Sequence, residues 1–190
     1  MTTRFALGMF DPECEYNQIP YTVVGHLKHR ELALRAAEES IVLLKNTGIL
    51  PLDRKKVNTV AVIGPNAYST AVLHANYHGD SDAYITNLEG IRKAAGDSIR
   101  VLYSKGCDLY RHADDPLCKP GRLFSEAITV AKYADVVILC VGLDETLEGE
   151  QGDAGNSFAS GDKDNLLLPE VQCHLIEKIF QLNTPVILVI

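Results

Sequence analysis

Four short apolar runs, Val57 to Ile63, Ile99 to Tyr103, Val136 to Val141 and Val186 to Ile190, are separated by segments of helical period, and the first three each lead into a glycine. Each run is too short for a helix and too continuously apolar for a strand with one wet face, so each reads as a strand buried on both faces. The intervening windows, 88–95, 124–133 and 169–182, carry apolar residues at spacings of three and four and read as helices. Buried strands alternating with helices predict an α/β fold. The expected form is a three-layer α/β/α sandwich with a mostly parallel sheet, truncated at its C-terminus because the last run ends the chain with no loop or helix after it.

Upstream of the first strand the pattern differs. Residues 1–27 hold no period for long and are punctuated by Pro12, Pro20 and Gly25, so they read as an inter-domain connector. From His29 to Lys45, Leu32, Ala36 and Leu43 mark a further helix that Asn46 and Gly48 can end. The predicted organisation is therefore a connector over 1–27 and an incomplete domain over 28–190.

Composition narrows the classes of partner. Lys and Arg number 18 against 25 Asp and Glu, a net charge of −7, with no basic run, so nucleic acid is not an expected partner. The longest apolar runs fall far short of the roughly 20 residues of a membrane helix, so no membrane association is expected either. The N-terminal residues lack the pattern of a signal peptide, which leaves the compartment unread. Five cysteines, Cys14, Cys107, Cys118, Cys140 and Cys173, form no CxxC or Cys/His ligand cluster. Cys140, inside an apolar run, reads as a small core residue, while Cys107 and Cys118 bracket a polar loop and would pair only in an oxidising compartment. No GxGxxG, phosphate loop or G-x-S-x-G elbow is present, and no cofactor is expected. His26 with His29, and His74 with His78, read as polar surface pairs, so no metal site is expected.

Chemistry concentrates in the loop from Leu143 to Leu168. It leaves the most apolar strand and carries Asp144, Glu145, Glu148, Glu150, Asp153, Asp162 and Asp164 among glycines. In open parallel sheets, ligands bind beyond the C-terminal ends of the strands, where this loop must lie. Three readings compete: a solvated acidic loop, a site for a hard cation such as calcium, and glycosidic chemistry. Calcium would use just such oxygen ligands, although the spacing is not that of an EF-hand. In glycoside hydrolysis one carboxylic acid protonates the leaving oxygen while a second carboxylate acts at the anomeric carbon. The residues alone leave all three open.

A resemblance discriminates among them. Arg4-Phe-Ala-Leu-Gly-Met-Phe-Asp-Pro12, Ala37-Glu-Glu-Ser-Ile-Val-Leu-Leu-Lys-Asn46 with Leu50-Pro-Leu52, and Val62-Ile-Gly-Pro-Asn66 follow one another in the order seen in family 3 glycoside hydrolases. Asn76-Tyr-His-Gly79 with Leu88-Glu-Gly-Ile91, Tyr103-Ser-Lys-Gly-Cys107, Ala134 to Asp144, and Leu166-Leu-Leu-Pro-Glu-Val-Gln172 continue that order to the end of the chain. Together they resemble the connector and second domain of that family.

The resemblance implies a retaining, exo-acting β-glycosidase that removes terminal β-linked sugars. β-Xylosidase stands ahead of β-glucosidase on the wording from Val141 to Glu148. It further implies an Asp nucleophile on an N-terminal catalytic barrel and an acid/base Glu on a loop of the second domain. Glu148, in Leu147-Glu-Gly149, matches that Glu, with Glu150 as runner-up. The implied partners are a β-linked oligosaccharide or aryl glycoside and the barrel domain. Without the barrel carboxylate the isolated chain is expected to be inactive. The rival expectation is a non-catalytic sugar- or ion-binding α/β module.

Overall fold

The computed structural model describes residues 1–74, 77–110, 119, 121–149 and 165–190. The chain separates into two compact units, Met1–Asn46 and Thr47–Ile190. The first holds two helices, α1 (Thr2–Ala6) and α2 (Leu27–Ser40), joined by turns and short 3-10 segments. Within α2 the N-terminal turn is capped by His26, whose ring nitrogen accepts from the Lys28 amide at 3.2 Å. No residue of either helix is buried, and the helix ends at Ser40 where the sequence pattern ran on to Lys45.

The second unit is built on four parallel strands, β1 (Thr59–Ile63), β2 (Arg100–Ser104), β3 (Val136–Cys140) and β4 (Val186–Val189), in the order β2-β1-β3-β4. Three helices connect them, α3 (Asn87–Ala95), α4 (Phe124–Lys132) and α5 (Glu170–Phe180). Alternation along β1 and β3 sends side chains to both faces, and both faces are covered. Ala61, Ile63, Val137 and Leu139 pack with Ala127 and Ala131 of α4 and with Leu175 and Ile179 of α5. Val60, Val62, Val136 and Cys140 pack with Leu88 of α3, and Ile49, Leu52 and Val57 close that layer. The expected three-layer parallel α/β arrangement is present.

Local sequence explains the boundaries. Thr86 and Glu89 form a reciprocal capping box at the start of α3, the Thr86 amide donating to Glu89 at 2.9 Å and the Glu89 amide to Thr86 Oγ1 at 3.3 Å. Gly96 then ends the helix at φ +59°. At the other end of the sheet, Asp135 Oδ2 accepts from the Asn58 and Thr59 amides at 2.8 and 2.9 Å, tying the start of β1 to the start of β3.

The chain order reverses between β1 and β3. From β1 it steps outward to β2 through α3, and it returns across to β3 through α4. The sheet is therefore open to a ligand between the loops that leave β1 and β3.

Candidate functional site

Two glycines let these loops approach. Gly64 leaves β1 at φ +124°, and a Cβ there would fall 1.8 Å from the Cys140 carbonyl oxygen. That clearance lets the Asn66 amide donate to the Cys140 carbonyl at 3.3 Å. Gly142, leaving β3 at φ +143°, would carry a Cβ only 2.9 Å from Asn66 Nδ2. Asn66 itself is 7% exposed, donates from Nδ2 to the Leu143 carbonyl at 3.5 Å, and keeps its Oδ1 buried without a partner among the described residues.

The loop after β3 is held from a distance. Gln172, on the first turn of α5 and fully buried, accepts from the Gly142 amide at 2.8 Å through Oε1. Its Nε2 donates to the Gly142 carbonyl at 2.8 Å and to the Leu109 carbonyl at 2.7 Å. One amide side chain thus fixes the loops that leave β2 and β3. The sequence carries this Gln at the end of the family-like string Leu166-Leu-Leu-Pro-Glu-Val-Gln172, where the helical window over 169–182 begins, and it proves to be the clamp.

Beyond Gly142 the chain makes a tight turn. Asp144 accepts from the Thr146 amide at 2.9 Å and from Thr146 Oγ1 at 2.6 Å, and its carbonyl accepts from the amides of Leu147 and Glu148 at 3.0 and 3.1 Å. Leu147, 2% exposed, anchors the turn in the interior, while Glu148 is exposed. Glu150 lies outside the described residues, as do Asp153, Asp162 and Asp164.

Beside this turn runs a groove of about 410 Å³. Asn66, Tyr68 and Ser69 line it from the loop after β1, Tyr103 and Lys105 from β2 and its end, and Asp144 from the acidic loop. Tyr68 and Tyr103 meet edge to face at 6.1 Å. Burial raises the Tyr103 phenol above its ordinary value, with the charge of Glu126 adding to the effect. The lining thus joins two aromatic rings with amide, hydroxyl, ammonium and carboxylate groups at the switch point of the sheet.

The remaining sequence candidates distribute as follows. Glu145 does not face solvent alone: its Oε2 lies 3.4 Å from His78 Nε2. His78, which is exposed, stacks on the half-buried His74 at 3.9 Å between ring centroids, so the pair expected at 74 and 78 meets ring to ring beside Glu145. Contacts across 67 residues of chain gather this group, and no local pattern announces it. Cys140 is 1% exposed and burial pushes its thiol up to about 11, which agrees with a core role. Cys107, 2% exposed, is likewise pushed up to about 12, first by burial and then by Asp108, while Cys118 lies outside the described residues.

Fold and site together define a parallel α/β sandwich whose polar chemistry sits on loops at the sheet's switch point. Residues 41–190 match the glycosyl hydrolase family 3 C-terminal domain. The chain is 37% identical to a β-xylosidase of Formosa agariphila, covering 100% of this chain and 25% of the relative. It is also 37% identical to β-D-xylosidase 1 of Arabidopsis thaliana, covering 100% of this chain and 22% of that one. Among solved structures, a family 3 exo-β-xylosidase in complex with a xylobiose aziridine activity-based probe superimposes with a TM-score of 0.78 at 34% identity, covering 94% of this chain and 21% of the other. A β-glucosidase of Erythrobacter marinus gives 0.77 at 32% identity, covering 95% and 26%. The chain belongs to glycoside hydrolase family 3 as its C-terminal α/β domain, and it spans about a quarter of the length of the curated relatives it matches.

Proposed function

We propose that this chain supplies the acid/base half of a retaining β-glycosidase active site, of β-xylosidase type, with Glu148 as the proton donor. The carrying observation is position: Glu148 stands exposed one turn beyond Asp144, which lines the groove at the switch point of the sheet. Gln172 and the buried Leu147 fix the turn that presents it.

In retaining hydrolysis the donor protonates the glycosidic oxygen while a second carboxylate, about 5–5.5 Å away, attacks the anomeric carbon; the donor's conjugate base then activates water. On this reading the attacking carboxylate comes from the family's barrel domain. Tyr68 and Tyr103 offer apolar faces to ring C–H groups, and Asn66, Ser69 and Lys105 offer partners to hydroxyls. The relatives from Formosa agariphila and Arabidopsis thaliana are β-xylosidases, which favours a xyloside as substrate.

Release of 4-nitrophenol from β-xyloside and β-glucoside tests the proposal, using this chain alone and mixed with a separately produced family 3 barrel. Turnover only on mixing, faster on the xyloside, is the expected outcome. Turnover by the chain alone would place the nucleophile here and overturn the division of labour.

A further inference from the structure

We propose that His74, His78 and Glu145 form a binding site for a zinc-class divalent cation. One donor atom from each lies within 4.8 Å of the others, and all three belong to the unit Thr47–Ile190. His74 follows the 3-10 turn Ala71–Leu73 in the connection after β1, and Glu145 lies on the turn after β3. The site therefore bridges the two loops of the switch point.

The hydrogen bonding of His78 supplies the first argument. Its Nδ1 lies 3.0 Å from the Gly79 carbonyl oxygen, which can only accept, so Nδ1 carries a proton. The other nitrogen, Nε2, faces a carboxylate oxygen of Glu145 at 3.4 Å. Two lone pairs do not face each other at that distance without a cation between them, either a proton or a metal ion. A ring N–H held by a backbone carbonyl is also the arrangement that orients a metal-binding imidazole.

His74 separates the two possibilities. Its Nε2 is buried and has no hydrogen-bond partner among the described residues. A proton on His78 would satisfy Glu145 but leave that nitrogen unpaired, with an imidazolium stacked against its ring at 3.9 Å. A metal ion would engage all three groups at once. Tyr84 also meets His74 edge to face at 5.0 Å between ring centroids, and its hydroxyl accepts from the Ser81 amide at 2.9 Å, which braces the ring.

Size and donor type then select the ion. Tetrahedral zinc with ligands at about 2.0–2.2 Å requires ligand atoms about 3.3 Å apart, close to the His78–Glu145 separation of 3.4 Å, and His74, whose donor lies within 4.8 Å of both, would draw in to complete the set. Two imidazoles and one carboxylate suit zinc, cobalt or nickel and disfavour calcium and magnesium. Three protein ligands leave a fourth position for water. Metal binding would tie Glu145, three residues before Glu148, to the loop after β1, and it stands whether or not Glu148 is the acid.

The test is calorimetric titration of the metal-stripped chain with Zn²⁺, alongside the visible absorption of Co²⁺. One equivalent should bind, and Co²⁺ should develop the intense bands of a low-coordinate site. His78→Ala and Glu145→Gln, both at exposed or half-exposed positions and checked by circular dichroism, should each weaken Zn²⁺ binding at least about tenfold. The double variant His26→Ala/His29→Ala should leave it unchanged. No uptake of Zn²⁺, uptake insensitive to His78→Ala and Glu145→Gln, or loss only in the His26/His29 variant would overturn the site.

Discussion

At the scale of single residues, Gln172 carries an unusual share of the architecture. It is fully buried and makes three hydrogen bonds to backbone groups of two loops that the sheet does not itself pair. Gln172→Leu keeps much of the volume but leaves one amide and two carbonyls without partners. Unsatisfied buried groups cost about 1–3 kcal/mol each, some of it relieved by entering water, so a loss of about 2–4 kcal/mol is expected. Urea unfolding would read this as a lower midpoint at unchanged slope. A midpoint within error of the parent would mean the loops hold themselves. The sequence marks Gln172 only as part of a helix start, because its partners lie 30 and 63 positions away. Glu148 was singled out by resemblance alone, through the local string Leu147-Glu-Gly149, which needs no knowledge of the fold.

At the scale of elements, the central strands β1 and β3 were legible because parallel strands covered on both faces are nearly continuously apolar, and Gly64 and Gly142 mark where they stop, while the flanking β2 and β4 are only partly buried. Helices α3, α4 and α5 were legible to within two residues at each end. The extent of α2 was not, because the apolar period runs on through Leu43 whereas the helix ends at Ser40. The gathering of His74 and His78 with Glu145 escaped for another reason: it depends on β1 and β3 being neighbours, a topological fact that periodicity does not carry. That same adjacency is fastened at the opposite end by Asp135. Hydrogen bonds from the Asn58 amide, then the Thr59 amide, hold its carboxyl below the ordinary value of 3.8. A carboxyl depressed in the folded state stabilises above its unfolded value, and that contribution is lost as pH falls through the lowered folded value. Asp135→Asn should therefore be less stable than the parent at pH 6, with the gap closing as the pH drops below about 4. Urea midpoints measured at both pH values check this; a gap independent of pH would mean that the hydrogen bonds act without the charge.

At the scale of the whole molecule, the proposed chemistry needs two carboxylates from two domains, and this chain spans about a quarter of its relatives' length. A proton donor can be told from a merely structural residue by the leaving group. An alkoxide or sugar departs only when its oxygen is protonated, whereas a dinitrophenolate departs unaided. In the assembled enzyme, Glu148→Gln should lower kcat/KM on xylobiose by about 100 to 10,000-fold, the range of general acid catalysis, while cleavage of the 2,4-dinitrophenyl xyloside falls far less. A residue that only shaped the groove would depress both substrates together, since sugar binding is common to them. Measuring kcat/KM across aryl xylosides of graded leaving-group acidity gives the answer as a slope. A steeper dependence in the variant than in the parent is expected for loss of the acid. Parallel lines would remove Glu148 from the chemistry and make Glu150 the next carboxylate to test.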